Sequence, residues 1–268
     1  MSRIKQCFEN LEKSGKKALI PYITGGDPSP DYTVTMMHAL VSAGADVIEV
    51  GMPFSDPMAD GPVIQLACER SLAAGTSVKK VLEIINEFRQ TNTETPVVLM
   101  GYLNPIEFFG YQAFSDAAKE VGVDGILLVD LTPEEATDVV ECFKQNEIDL
   151  IYLLSPTTTP ERAKKICDLA SGYVYYVSVK GVTGSAELDV DSVKKHVDTL
   201  RTITSLPIGV GFGIRDAKTA AAVSKCADGV IVGSVLVNAI AENKDRQKEY
   251  IADAIGSILA PMRSEMDA

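Results

Sequence analysis

Short runs of aliphatic and β-branched residues recur along the whole chain, separated by stretches in which apolar positions return every three or four residues. The runs are ALIPYIT (18–24), DVIEV (46–50), PVVLMG (96–101), DGILLVD (124–130), LIYLLS (150–155), YVYYVSV (173–179), PIGVG (207–211) and DGVIVG (228–233). Continuous apolar runs predict strands buried on both faces, as in a parallel sheet. The intervening stretches predict helices. In TSVKKVLEIINEFRQ (76–90), Val78, Val81, Leu82, Ile85 and Phe88 make one stripe. Ala136, Val139, Val140 and Phe143 make another within 133–145, where Pro133 suits a first turn and Glu134 and Glu135 suit the helix dipole. PERAKKICDLASG (160–172) opens with Pro-Glu and carries a Gly near its end. The opening MSRIKQCFENLEKSGKKALI has no long apolar stretch before a cleavage site and predicts an N-terminal helix.

Eight strands, each followed by a helix, in about 230 residues fit a (β/α)8 TIM barrel with an additional N-terminal helix. An open doubly wound sheet is the alternative, but it favours GxGxxG after the first strand, where this chain has TGGDPSP. A faint internal echo supports a repeated unit: SAGADVIEV, EVGVDGILLVD and KCADGVIVGS each run from a helix end into a strand and carry Asp near its start. No Pro/Ser linker or charge block divides the chain, so residues 1–268 are expected to form one domain. A barrel places its chemistry on the loops after the strands' C-terminal ends.

Charge narrows the partners. Lys and Arg number 25 against 37 Asp and Glu, a net charge of −12, which argues against a nucleic-acid ligand. No basic amphipathic stretch and no apolar run of spanning length points to a membrane. Cys7, Cys68, Cys142, Cys167 and Cys226 are scattered and odd in number, which suits a reducing cytoplasm better than a disulfide framework. His38 and His196 lie in helical stretches without paired cysteines, so metal chemistry is not expected.

The candidate chemistry lies in EVGMPFSDPMADGPVIQ (49–65), after the second strand. Glycines and prolines hold this segment in loop conformation, and Glu49, Asp56 and Asp60 stand over the barrel mouth. An acid after a strand is commonly a cap or ion-pair partner, and Asp before Pro or Gly is commonly a turn former. The catalytic reading competes with both.

At these residues the sequence closely resembles the tryptophan synthase α-subunit family. The ordered blocks ALIPYITGGDP, EVGMPFSDPMADGPVIQ, LMGYLNP, VDLTPEE, PTTTPER, YYVSVKGVTG, GVGFGI and DGVIVGS carry the resemblance over nearly the whole chain. It implies cleavage of indole-3-glycerol phosphate to indole and glyceraldehyde 3-phosphate, with no cofactor. It also implies a pyridoxal-phosphate-dependent tryptophan synthase β subunit as partner, in an α2β2 assembly. The family's catalytic Glu and Asp fall on Glu49 and Asp60. Met52, Met58, Val63 and Val235 depart from common family residues, and Lys180 stands where the family varies. None of these removes a group the chemistry needs.

That chemistry asks for two things: a group that gives and takes protons, and a fixed anion near the ring N–H. Glu49 ends an apolar strand, where desolvation raises a carboxyl pKa toward the acid–base range. Asp60, in a polar loop, is expected to stay ionised and to face the ring nitrogen as positive charge develops there. For Asp56 and Ser55 a structural reading leads: loop shaping, closure or partner contact.

An acidic protein must hold a phosphate locally. GVGFGI (209–214) and GSVLVNAIA (233–241) follow the last two strands, where barrels grip phosphate with loops and a helix N-terminus. Gly233 and Ser234 are candidates, although Gly-Ser is also an ordinary helix start. The resemblance adds Gly184 and Gly213. It also marks VKGVTGSAELD (179–189) as a mobile loop in which Thr183 pairs with Asp56 on closing. Tyr22, Met100, Leu127, Leu153, Tyr175 and Phe212 stand at strand ends, either lining an indole pocket or filling the barrel. Of these, family position favours Tyr175.

Rival functions are a Schiff-base aldolase using Lys180, another phosphate-binding barrel such as a sugar-phosphate isomerase, and a regulatory subunit without turnover. Indole-3-glycerol phosphate offers no carbonyl for an imine before cleavage, and the paired acids of the second loop speak against the other two. Indole is small and apt to escape, a physical reason to dock the barrel mouth on the enzyme that consumes it. Residues 53–60 and 179–189, with those near 100–110 and 130–135, are expected to face that partner.

Overall fold

Each apolar run pairs with its sequence neighbours and the last closes on the first, giving a closed parallel barrel in the order β1 to β8. The strands are β1 (Ala18–Thr24), β2 (Ile48–Gly51), β3 (Val97–Gly101), β4 (Gly125–Leu128), β5 (Asp149–Leu154), β6 (Val174–Val177), β7 (Ile208–Gly211) and β8 (Gly229–Val232). Twelve helices occur among the described residues. They begin with α1 (Arg3–Lys13), α2 (Pro30–Ser42), α3 (Pro62–Ala73), α4 (Val78–Arg89), α5 (Leu103–Phe109) and α6 (Tyr111–Glu120). They continue with α7 (Thr137–Gln145), α8 (Pro160–Leu169), α9 (Val190–Arg201), α10 (Ala217–Ser224), α11 (Ser234–Glu242) and α12 (Lys248–Met266). The structure, a computed structural model, describes residues 2–178, 189–211 and 213–268.

The continuous apolar runs reflect two cores separated by one strand thickness. Alternate side chains such as Leu19, Ile48, Leu99 and Val210 pack outward under the helices. The others, among them Ile20, Val47, Val98, Leu127, Ile151 and Ile231, fill the barrel. Side chains alternate faces along a strand, so Glu49 shares the inward face of Val47. The register sets Tyr22 beside Glu49 and Glu49 beside Val98.

Helix α1 plugs the barrel's lower end. Ser2 caps it by accepting the Lys5 N–H, and its stripe of Ile4 and Phe8 joins the interior cluster. Gly125 leaves room for Ile4: a Cβ there would stand 2.9 Å from Ile4 Cδ1. Burial of each of these two side chains is worth about 1.5–3 kcal/mol.

The same end is locked by four copies of one exchange. Asp46, Asp124, Ser171 and Asp228 stand just before β2, β4, β6 and β8. Each donates its backbone N–H to the carbonyl of Leu19, Val97, Leu150 or Ile208 in the preceding strand. Each then accepts that same residue's N–H on its side-chain oxygen, at 2.8, 2.8, 2.9 and 3.0 Å in turn. The three aspartates also hold cations: Arg263 on Asp46, Arg3 and Arg89 on Asp124, and Lys17 and Arg201 on Asp228. The internal echo in the sequence is this joint, one for every two strands.

Several expected boundaries shift by a residue or more, and two of the shifts have a visible cause. The run at 124–130 is a strand only over Gly125–Leu128, because both flanking aspartates turn back to backbone: Asp130 accepts the Leu103 N–H at 2.8 Å. The helix expected over 133–145 begins at Thr137. Residues 133–135 form a turn instead, in which the Glu135 N–H reaches the Thr132 carbonyl and Glu134 pairs with Arg162 at 3.1 Å.

Candidate active site

The upper mouth of the barrel is shaped by two tyrosines lying over two glycines. A Cβ on Gly51 would come 2.2 Å from Tyr22 Oη, and one on Gly211 would come 2.1 Å from Tyr175 Oη. No side chain fits at either strand end while these rings stay in place. Both rings are buried, and Tyr22 packs with Ala67 and Val237, with Met100 against its edge. Met100 also borders the interior cluster to which the fully buried Leu127 belongs.

Glu49 is wholly buried in this apolar setting. Burial pushes its carboxyl up to about 7, and the hydrogen bond from Tyr173 opposes that rise. The Tyr173 hydroxyl donates to Glu49 Oε1 at 2.5 Å. Oε2 has no hydrogen-bond partner among the described residues, so one carboxyl oxygen is held and the other is uncommitted. A carboxyl poised near neutrality can both give and take a proton.

Asp60 reaches the site from the loop between β2 and α3. The loop leaves the sheet after the Met52 N–H bonds the Met100 carbonyl, then turns at Asp60 N–H to Pro57 O. Gly61 and Pro62 start α3, whose Gln65 side chain donates back to the Asp60 carbonyl at 2.8 Å. The Asp60 side chain is half-buried and accepts the Tyr102 hydroxyl on Oδ2 at 2.9 Å. Burial raises its pKa and the Tyr102 hydrogen bond lowers it. One acid thus stands in an apolar interior and the other on a hydrogen-bonded loop, and burial raises both carboxyls. Asp56 stands apart from them, exposed and accepting the Ser55 hydroxyl.

At the other side of the mouth, Gly233 precedes α11 and Ser234 opens it, exposed to solvent. The first N–H groups of a helix lack intrahelical acceptors and face outward as donors. Gly213, with φ of +79°, turns the chain after β7. Thr183, Gly184, Lys180 and Phe212 lie outside the described residues.

A family model described as tryptophan synthase alpha chain matches residues 8–264. The chain belongs to the tryptophan synthase alpha chain family. Its relative in Marinobacter nauticus, named tryptophan synthase alpha chain, is 59% identical over 268 residues, covering 100% of this chain and 99% of the relative. The one in Thioalkalivibrio sulfidiphilus is 57% identical over 267 residues, covering 100% of both. Among solved structures, tryptophan synthase subunit alpha from Legionella pneumophila superposes with a TM-score of 0.92 at 47% identity, covering 100% of this chain and 99% of that one. As a tryptophan synthase alpha chain, the protein is the lyase that cleaves indole-3-glycerol phosphate to indole and glyceraldehyde 3-phosphate in tryptophan biosynthesis. An alpha chain of this enzyme implies a β-subunit partner.

Sequence reasoning missed Tyr173 and Tyr102, the hydrogen-bond partners of the two acids in this alpha chain. Tyr173 was within reach: it shares the inward parity of Tyr175 in YVYYVSV. Tyr102 gave no such sign, because the residue after a strand end has no fixed face.

Proposed function

We propose that Glu49 carries both proton transfers of the lyase reaction and that Asp60 holds the ring N–H. The carrying observation is Glu49 itself, wholly buried, with its carboxyl raised to about 7. The protonated Glu49 gives its proton to indole C3, turning that carbon tetrahedral and leaving positive charge on N1. Asp60, ionised, accepts the N1–H and stabilises that charge. Glu49, now a carboxylate, takes the proton of the side-chain hydroxyl next to the ring. The O–H electron pair becomes the aldehyde C=O, the C3–C bond breaks, and its electrons restore the neutral aromatic ring. Glu49 ends the cycle protonated, as it began.

The phosphate is assigned to Gly213, Gly233 and Ser234, with Gly184, and the indole ring to Tyr22, Met100, Leu127 and Tyr175, with Phe212. Glycines at two strand ends and the outward donors of α11 support the first assignment. Closing of Thr183 onto Asp56 is proposed to cover the bound substrate.

The finer assembly proposed is α2β2, docked through the barrel mouth. Large apolar side chains stand uncovered there: Phe108 after β3 is 94% exposed and Met58 after β2 is 77% exposed. Beside Met58 lies a cavity of about 310 Å³ lined by Phe54, Ser55, Asp56, Pro57, Gln65 and Glu69. Exposed apolar groups ringed by polar ones are typical of partner surfaces.

Indole release from indole-3-glycerol phosphate tests the reading, comparing the chain with Glu49→Gln, each with and without a β subunit. Turnover that rises with the partner and vanishes in Glu49→Gln supports it. Unchanged turnover in Glu49→Gln moves the acid–base work elsewhere.

A further inference from the structure

We propose that Tyr102 is the positioning residue for Asp60, fixing which carboxylate oxygen meets the ring N–H and locking the Asp60 loop to the end of β3. The inference rests on the Asp60 reading above.

Tyr102 follows Gly101, the last residue of β3, and is only 3% exposed. Its hydroxyl makes two bonds to consecutive residues of the loop: it accepts the Ala59 N–H at 3.0 Å and donates to Asp60 Oδ2 at 2.9 Å. The direction follows from the donor inventory. A backbone N–H can only donate, so the single phenolic proton is free to go to the carboxylate. Among the described residues Oδ1 accepts no hydrogen bond, which leaves it for the substrate. The ring also packs on Phe54, centroids 5.4 Å apart, so the loop is gripped at three places by one side chain.

The hydrogen bond also favours the charged form of Asp60. Burial raises the Asp60 pKa, and Tyr102 is what lowers it. The titratable groups on which the Asp60 charge acts are Tyr22 from β1, Tyr175 from β6 and Cys68 from α3. All three have their own pKa values raised, chiefly by burial, and stay neutral, so none supplies a compensating positive charge. Without Tyr102, a half-buried carboxylate would face developing positive charge with no partner to keep it ionised or aimed.

The test is indole release by the full chain with its β subunit, followed across pH for wild type, Tyr102→Phe, Phe54→Leu and Asp60→Asn. Tyr102→Phe keeps the ring and removes the hydroxyl. It is expected to lower kcat about 10- to 100-fold, the range for a hydrogen bond to a charged group, with little change in KM. The acid limb of kcat/KM moves to higher pH, because Asp60 then protonates more readily. Phe54→Leu removes the ring contact alone and leaves that limb in place. An unmoved acid limb in Tyr102→Phe, or a limb that moves equally in Phe54→Leu, overturns the proposal. If Asp60→Asn is inactive while Tyr102→Phe is unimpaired, only the Tyr102 role falls. If Asp60→Asn keeps full turnover, the Asp60 reading falls and takes this one with it.

Discussion

Tyr173, just before β6, donates its phenolic proton across 2.5 Å inside the barrel to Glu49 of β2. Its ring lies 5.7 Å from that of Phe8, so the N-terminal helix supports the residue that holds the acid. Burial of Tyr173 keeps its hydroxyl protonated, with its pKa well above the ordinary value, and it is therefore a fixed donor. It favours the ionised form of Glu49 while burial favours the neutral one, and burial is the larger influence.

Removal of that hydroxyl has a defined sign. In Tyr173→Phe the opposing hydrogen bond is gone, so the Glu49 pKa rises above about 7. The proposed cycle begins with protonated Glu49, which makes the alkaline limb of kcat/KM the one that reports it. That limb is expected to move to higher pH, while kcat falls about tenfold as the carboxyl loses its fixed orientation. A pH–rate profile of the variant checks both, and an alkaline limb that stays put would remove Tyr173 from the account.

The same raised pKa makes Glu49 a cost to folding at high pH. Its folded value is above that of the unfolded chain, so its contribution is fully present below about 4.5 and is lost as pH rises through about 7. The difference, from 4.5 to about 7, amounts to roughly 3–4 kcal/mol at about 1.4 kcal/mol per unit. Glu49→Gln is neutral at every pH and can still accept from Tyr173. Urea unfolding is expected to show Glu49→Gln gaining on wild type between pH 5 and pH 8 by up to that amount, and a difference that does not grow with pH would overturn the expectation.

The eight strands were legible because both faces of each are buried, which writes an unbroken apolar run into the chain. The lower joints were half legible. The aspartates of GADVIEV, VDGILLV and ADGVIVG stood out as an echo, whereas Ser171, the fourth member, makes the same exchange with Leu150 and was hidden by its residue type. The helix start at Pro160-Glu161 was plain, since such openings are local. The turn at residues 133–135 was not, because it accompanies a pairing of Glu134 with Arg162 across to another helix. Glu49 and Asp60 were nameable through the family motif. Their tyrosine partners depend on contacts between residues far apart in sequence, which periodicity alone does not encode.

Stability and chemistry are expected to separate along the barrel axis. Asp124 holds Arg3, Arg89 and the Val97 N–H at the lower end, with its own side chain only 4% exposed. Its removal leaves a buried guanidinium without its carboxylate, a loss of about 3–5 kcal/mol. Asp124→Ala should therefore unfold at markedly lower urea concentration. The folded fraction should release indole at the wild-type kcat and KM in dilute buffer at low temperature. A large fall in kcat of the folded protein would mean that the lower joint transmits strain to the mouth.

The closest packing at the mouth offers a paired test. Tyr22 Oη would stand 2.2 Å from a Cβ on Gly51 and Tyr22 Cζ would stand 2.8 Å away, so Gly51→Ala forces the ring to move. The strand itself tolerates alanine; the ring does not. Because Tyr22 pairs in register with Glu49, a displaced ring disturbs the wall beside the acid. Gly51→Ala is expected to lose at least tenfold in kcat/KM, a cost of about 1.4 kcal/mol. Tyr22→Phe deletes the atom in worst conflict while keeping the ring, so the double variant should recover part of the loss, since residues in contact couple rather than add. The Cζ contact at 2.8 Å persists, and recovery is therefore partial. Strict additivity of the two substitutions in kcat/KM would show that the ring is not what excludes a side chain at position 51.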